Sequence, residues 1–309
     1  MKKLTIKLLA VIFSIIFILI FYLSVFGIKT NRLNNQISSL IKETNSELRV
    51  EIKEIKLNLD PFKLKINAKT TGPIIKFQDK NIELENIKTV ISIASFIKNE
   101  YSLKNLEIST KTLNIKNLIS FIRTQKNTPE LYILEKIIKK GYLISDINLK
   151  FDSLGRVKDN YEIKGFIKDT ELRILKKYNL DNLNLTFNFK KDNFEFNDIN
   201  LDLNKIPFFS DKINVKNDKN KFLIEGSLNN KNLSLNKDLI DNFIKPLFSN
   251  IKISSLNFNS NNDFFFKLSK KLRISDLQFS SKTQINELKF QNNFQIKEFF
   301  PKIQNEIKI

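Results

Sequence analysis

An unbroken apolar segment near the N-terminus constrains this chain more than any other feature. Residues Leu8 to Ile28 include no charged side chain. Basic residues flank the segment on both sides, with Lys2, Lys3 and Lys7 before it and Lys29 and Arg32 after it. At about 1.5 Å per residue such a helix spans roughly 30 Å, the thickness of a bilayer's hydrocarbon core. The segment therefore predicts a single membrane-spanning helix.

A cleaved signal peptide is the alternative interpretation of the same segment. Signal peptides have an apolar core of about 7–15 residues, followed by a cleavage site with small residues. The run here is longer, and Val25-Phe26-Gly27 matches such a site poorly. We therefore predict an uncleaved anchor whose basic N-terminal end stays in the cytoplasm. This places the protein in a bacterial inner membrane as a single-pass protein, with the bulk of the chain in the periplasm.

The absence of two residue types argues against most enzyme chemistry. The 309 residues include no cysteine and no histidine. Without them the chain has no thiol nucleophile, no disulfide, no imidazole base and none of the commonest metal ligands. Asp146, Asp198 and Asp276 occupy turn-like positions, where local capping is the expected role. We predict a protein that is not an enzyme and needs no cofactor or metal.

The net charge of +19 favours a membrane partner over a nucleic acid. The chain has 52 Lys and Arg residues against 33 Asp and Glu. Lysine, asparagine, isoleucine and phenylalanine are all heavily used, as a biased codon composition would produce, and few of the basic residues are arginine. Base recognition favours the bidentate guanidinium of arginine. We therefore expect no nucleic-acid partner, but we do expect attraction to an anionic membrane surface.

Beyond the anchor, apolar residues mostly alternate with polar ones, which predicts strands. A short helix is expected over Leu33 to Leu48, before the strands begin. Three further helices interrupt the strands: the first carries the apolar residues Leu118, Ile119 and Ile122, the second opens at Thr128-Pro129-Glu130, and the third covers Asp238 to Phe248. For the second helix we expect Gly141 to end it. Its expected buried residues are Leu131, Leu134, Ile137 and Ile138.

A short unit recurs after Gly141, and in it the alternation slips by one residue. A polar pair precedes an apolar, polar, apolar triplet. The copies are Ser145 to Leu149, Asp181 to Leu185, Asn197 to Leu201 and Ser275 to Phe279. A one-residue slip of phase predicts a β-bulge that bends the strand. Many such strands in succession predict a mainly β fold: a long curved antiparallel sheet, or open β-groove, with a few short helices after one N-terminal transmembrane helix.

The order of these features resembles the AsmA/TamB superfamily of bacterial envelope proteins, including its YhdP-type members. A basic tail, one span, an amphipathic helix and slipping β-repeats follow one another. Gly141 to Phe151, followed by Gly155 and Gly165 to Asp169, resembles a block of that family. The resemblance implies a tail and anchor over residues 1–29, a helix-and-sheet region over 30–140 and a β-repeat groove region over 141–309. It also implies phospholipid, the inner membrane and an outer-membrane or periplasmic protein as partners.

Two interpretations of the apolar strand faces stay open at this point. They form either ordinary closed core or an uncovered face that lines a lipid groove, because three short helices cannot cover a sheet of this length. The groove candidates are Phe151, Phe187, Phe189, Leu201, Leu203 and Phe279. The predicted function is to bind or transfer phospholipid between inner and outer membrane. The alternative is an envelope-assembly scaffold that binds client strands by β-augmentation.

Overall fold

The fold was analysed in a computed structural model of the chain. It describes residues 2–31, 34, 47–93, 105–152, 156–174, 177–219, 221–235, 237–241, 252–271, 273–291 and 306–308. The predicted helix over Leu33 to Leu48 lies almost entirely outside these ranges, and so does the predicted helix beyond Asp241.

Strands dominate the described residues, and helices are few. The helices are α1 (Lys2–Val25), α2 (Ile115–Gln125), α3 (Pro129–Ile137) and the short α4 (Lys237–Leu239). The strands of the first half are β1 (Ile28–Thr30), β2 (Leu48–Glu51), β3 (Glu54–Asp60), β4 (Lys65–Thr71), β5 (Ile74–Phe77), β6 (Lys80–Ser92), β7 (Asn105–Thr110), β8 (Leu113–Asn114) and β9 (Ile138–Lys150). Those of the second half are β10 (Glu162–Ile174), β11 (Tyr178–Lys190), β12 (Asn193–Leu203), β13 (Ile206–Asp218), β14 (Lys221–Leu235), β15 (Lys252–Ser269), β16 (Ile274–Gln291) and β17 (Glu306–Lys308).

The chain divides into two compact units. Unit 1 contains Met1–Thr170 with Phe187–Lys191, and unit 2 contains Glu171–Thr186 with Asp192–Ile309. In unit 1 the strands pair antiparallel in the order β1, β3, β4, β6, β7, β9. The start of β6 also pairs with β5, which in turn pairs with β2. In unit 2, each strand from β12 to β17 pairs antiparallel with the next one along the chain. The prediction of a mainly β fold on an open antiparallel sheet, with a few short helices after an N-terminal apolar helix, is confirmed.

Helix α1 is long and apolar enough to cross a membrane. The candidate span is Lys7–Val25, and none of it is buried in the protein. The helix ends before Ile28, where the uncharged run ends, because Gly27 takes a left-handed φ of 71°. Its N–H donates to the carbonyl of Tyr22 at 3.2 Å, as in a glycine-terminated helix.

Helix α3 begins as its sequence predicts but ends earlier. The Thr128 hydroxyl accepts a hydrogen bond from the Leu131 N–H, and Pro129 occupies the first turn. The helix ends at Ile137, and Gly141 lies inside β9, so the predicted role of Gly141 as a terminator is wrong. With φ of 147°, Gly141 leaves room for Thr170, whose Oγ1 lies 2.3 Å from where a Cβ would stand. Leu134 is exposed, contrary to the predicted buried face.

A bulge is confirmed in one of the four repeated units, Ser275 to Phe279, and two other units share its left-handed residue. Asn182, Asp198 and Asp276 have positive φ values of 52°, 52° and 54°. Short polar side chains tolerate this left-handed conformation better than other non-glycine residues. Asp276 coincides with a register shift in the β15–β16 ladder. The fourth unit differs, because Asp146 is absent from the positive-φ residues.

Candidate functional site

Strand β15 shows how one face of unit 2 is organised. Side chains at alternate positions point to the same face. From the middle of the strand onwards, that face carries Leu256, Phe258, Ser260, Asn262, Phe264, Phe266 and Leu268. Two apolar zones are therefore separated by two polar residues, and the neighbouring strands repeat the same division.

The second of these zones is open to solvent on strand β16. Phe264 pairs with Phe279 across the β15–β16 ladder, and Leu268 pairs with Ile274. Ile274, Leu277 and Phe279 are 60%, 66% and 65% exposed. We call this zone the open apolar patch, defined by Phe264, Phe266, Leu268, Ile274, Leu277 and Phe279. Contiguous exposed apolar surface of this kind usually marks an interaction site.

The first zone is closed on β14 and β15, whereas Ile285, which pairs with Phe258 on the outer strand β16, is 55% exposed. Leu233, Leu235 and Ile240 form a buried cluster at this end of the face. Partly buried residues pack against the cluster: Ile206, Leu239, Ile253, Leu256 and Phe258. Helix α4 contributes Leu239, and Ile240 follows directly after it. At this end the chain covers the apolar side chains of β14 and β15.

A belt of buried polar side chains separates the closed zone from the open patch. Ser210, Asn230 and Ser260 are all buried. The Ser260 hydroxyl donates to Oδ1 of Asn230 at 2.8 Å, and Nδ2 of Asn230 donates to the Pro207 carbonyl. Asn262 extends the belt, because its Nδ2 donates to the Leu228 carbonyl at 2.7 Å. Each side chain is satisfied internally, which keeps the cost of burying it small.

Positive charge lines the turn beside the open patch. Lys270, Lys271 and Arg273 are exposed in the turn that joins β15 to β16. None of the three has an ion pair within the described part of the chain. The Leu268–Ile274 pair closes this hairpin, so the cations lie directly next to apolar side chains.

The bulge beside the patch is held by an ion pair. Nζ of Lys267 lies 2.8 Å from Oδ2 of Asp276. The hydrogen bond from Lys267, and then its charge, hold the pKa of the Asp276 carboxyl below its ordinary value. The same bond raises the pKa of Lys267. Both groups therefore stay charged through the neutral range.

The sequence-predicted residues of unit 2 fall in different environments. Phe279 lies in the open patch. Leu201 and Leu203 are half-buried on β12, opposite Phe208 and Ile206 on β13. Because Ile206 packs on the closed cluster, Leu203 lies toward the closed end of the face.

The sequence-predicted residues of unit 1 are less exposed. Phe187 is buried, and a Cβ on Gly165 would lie 3.0 Å from its ring. Phe187 and Phe189 share a face as predicted, with ring centroids 4.7 Å apart. Phe151 is half-buried in an isolated bridge to Val157.

A depression of about 550 Å³ in unit 2 is lined in part by Phe264 and Phe279 of the open apolar patch and by Phe265. Its lining includes the polar side chains of Lys212, Glu225, Asp263 and Gln278. The depression is open to solvent and mixes charged with aromatic residues, whereas a small-molecule site is expected to be more enclosed and mainly apolar. Within the described ranges, no group of three or more acidic residues could hold a metal ion.

Sequence reasoning missed the polar belt and the cationic turn. The belt had a signal, because Ser260 and Asn262 interrupt an otherwise apolar series at alternate positions of one strand. The turn had one too, since three of its basic residues fall within four positions, Lys270 to Arg273. Comparison with known proteins adds no relative: no family model, no curated protein and no solved structure matches this chain.

Proposed function

We propose that this chain is a membrane-anchored envelope protein that binds phospholipid acyl chains on an apolar β-sheet face. The anchor is α1, in a bacterial inner membrane, and the sheet lies in the periplasm. The resemblance to AsmA/TamB proteins supports transfer of phospholipid between inner and outer membrane as the purpose of that binding.

The open apolar patch beside a cationic turn is the observation that carries the proposal. A phospholipid joins an anionic phosphate to apolar chains. On this surface a cationic turn, which could bind the phosphate, lies next to an apolar patch, which could bind the chains. Covering a large exposed apolar side chain is worth about 1.5–3 kcal/mol. Lys270, Lys271 and Arg273 supply cations for the phosphate without breaking an ion pair with any described residue.

The polar belt supports the same proposal in a second way. If the whole face were closed core, the buried polar side chains of Ser260 and Asn230 would break up its apolar packing without any structural purpose. Their position between the closed cluster and the open patch instead marks where internal packing ends. Acyl chains would therefore lie on the patch side of the belt.

A pair of adjacent substitutions tests the proposal. Phe279→Asp places a carboxylate in the patch, and Gln278→Asp places one on the opposite face of the same strand. Both positions are exposed, so the free energy of unfolding of both variants should lie within about 0.5 kcal/mol of the parent's. The purified full-length protein should carry less phospholipid, by mass spectrometry, with Phe279→Asp alone. Lipid bound around α1 should be the same in both variants, so it does not affect the difference between them. Equal lipid content in the two would contradict the proposal.

The outer edge of β16 favours a second candidate function. Within the described residues, strand β17 pairs with β16 at Lys289 to Gln291, and no strand pairs with the outer edge of residues 274–288. Such an edge can accept a strand from a client protein by β-augmentation. Co-purified protein in place of lipid, lost when Thr283→Pro blocks the edge, would favour this scaffold function.

A further inference from the structure

Helix α1 passes directly into the sheet of unit 1. Only Phe26 and Gly27 separate the helix from β1, and Ile28 pairs with Leu57 on β3. A Cβ on Gly27 would stand 2.5 Å from the Leu57 carbonyl oxygen, so the chain passes close against β3 at this point. The sheet edge therefore begins where the helix leaves the membrane.

The end of β3 lies beside the last turns of the helix. Nδ2 of Asn58 donates to the Ser24 carbonyl at 3.4 Å. Ile20, Leu23 and Ser24 are half-buried, whereas the earlier turns of the span are exposed. Spacings of three and four residues place these side chains on one helical face. That face is partly covered by protein, and β3 is in contact with α1.

The hairpin that follows projects beyond this contact. The β3–β4 ladder continues through Leu59–Ile66 to Asp60–Lys65. Two residues past Asn58 add about 7 Å in the strand direction. The turn, residues 61–64, therefore lies beside the C-terminal turns of α1, on the side of Ser24 that leads back into the membrane span.

The composition of this turn is unusual for a turn in water. Phe62 is 97% exposed and Leu64 is 65% exposed. Leu64 also has a φ of 50°, a conformation that a leucine rarely adopts. Lys63 and Lys65 alternate with the two apolar residues and have no ion pair with any described residue. Asp60 accepts the Lys63 N–H at 3.0 Å and so shapes the turn.

We propose that the β3–β4 turn inserts Phe62 and Leu64 into the interfacial region of the membrane that α1 crosses, while Lys63 and Lys65 contact lipid phosphates. The inference rests on the anchoring role proposed for α1. Aromatic and basic residues at the level of the headgroups are a common combination in membrane anchors. Two attachments, helix and hairpin, would fix the orientation of unit 1 on the bilayer.

Fluorescent labelling of single cysteines tests the inference, because the parent chain has no cysteine. Full-length Phe62→Cys carries the probe at the turn. Asp79→Cys carries it at the β5–β6 turn, which lies about 40 Å away along β6. Phe13→Cys reports on the helix. Each is reconstituted alone into vesicles that contain phosphatidylglycerol and nitroxide-labelled phospholipid.

Lipid quenching and a blue-shifted emission at position 62, with neither at position 79, are the expected result. Quenching at position 13 without quenching at 62 would overturn the hairpin insertion and leave the anchor standing. No quenching at either position would overturn both. Iodide in the buffer provides the complementary measurement, since it should quench the probe at 79 more strongly than the probe at 62.

Discussion

The bulge at Asn232 offers a quantitative test of how the fold positions its apolar faces. Asn232 has a φ of 49°, and the β14–β15 ladder shifts register between Asn230 and Leu233. Because of this shift, Asn230, Leu233 and Leu235 are all buried, although their spacing does not follow strict alternation. Substitution of Asn232 by valine puts a β-branched side chain where φ is positive.

The protein can respond to Asn232→Val in two ways, and the response with the lower free-energy cost is expected. Keeping the bulge costs about 1–2 kcal/mol of left-handed strain. Slipping the register by one residue would instead expose Leu233 and Leu235, at roughly 1.5–3 kcal/mol each. The strained bulge is the cheaper outcome, so we expect about 1–2 kcal/mol of destabilisation, which corresponds to roughly 3–6 °C in Tm.

Thermal unfolding of three variants isolates this effect. Asn232→Gly keeps the left-handed conformation available, and Lys231→Val introduces the same side chain at the adjacent exposed position. Both should melt close to the parent, well above Asn232→Val. If Asn232→Val melts with the two controls, the assignment of the bulge as the device that sets strand phase is refuted.

Further predictions concern local contacts in both units. Asp276→Asn should lower stability slightly at neutral pH and remove part of the protein's acid sensitivity. The depressed pKa of Asp276 means that its pair with Lys267 stabilises the fold above the ordinary Asp value of 3.8 and is lost as pH falls through the lower folded pKa. Urea titrations should therefore show a difference between parent and variant at pH 7 that shrinks toward pH 3. Gly165→Ala should destabilise strongly, because its Cβ would lie 2.1 Å from the Ile144 carbonyl oxygen; a Tm equal to the parent's would contradict this. Asn230→Ala should cost about 1–3 kcal/mol by leaving buried partners unsatisfied, and a neutral result in urea unfolding would argue that water reaches the belt.

Local sequence pattern predicted much of the strand architecture because it depends on short-range chemistry. Alternation requires only that one face differ from the other, and a bulge requires an asparagine or aspartate that accepts a positive φ. Asn182, Asp198 and Asp276 all have a positive φ, and at Asp276 the ladder also shifts register. Asp146 has the same sequence context without the conformation; beside it, the Ser145 N–H donates to the Thr110 hydroxyl at 2.8 Å.

Burial could not be predicted in the same way, since it depends on partners far apart in sequence. Leu201, Leu203 and Phe279 have the same local pattern, yet Phe279 is exposed and the other two are half-buried. Gly141 has the sequence context of a helix terminator, but its backbone is required by Thr170, which comes 29 positions later. Which apolar faces stay open is therefore known only once the strands are paired.

Site-specific photo-crosslinking at Phe279 tests the central claim of lipid binding most directly. A photoreactive amino acid replaces Phe279 in one variant and Gln278 in the other, so the two probes lie on opposite faces of β16 in an otherwise identical protein. We predict that in cells the probe at 279 captures phospholipid and the probe at 278 captures none. Equal capture at both positions, or capture of protein alone at 279, would contradict the account and favour the scaffold function instead.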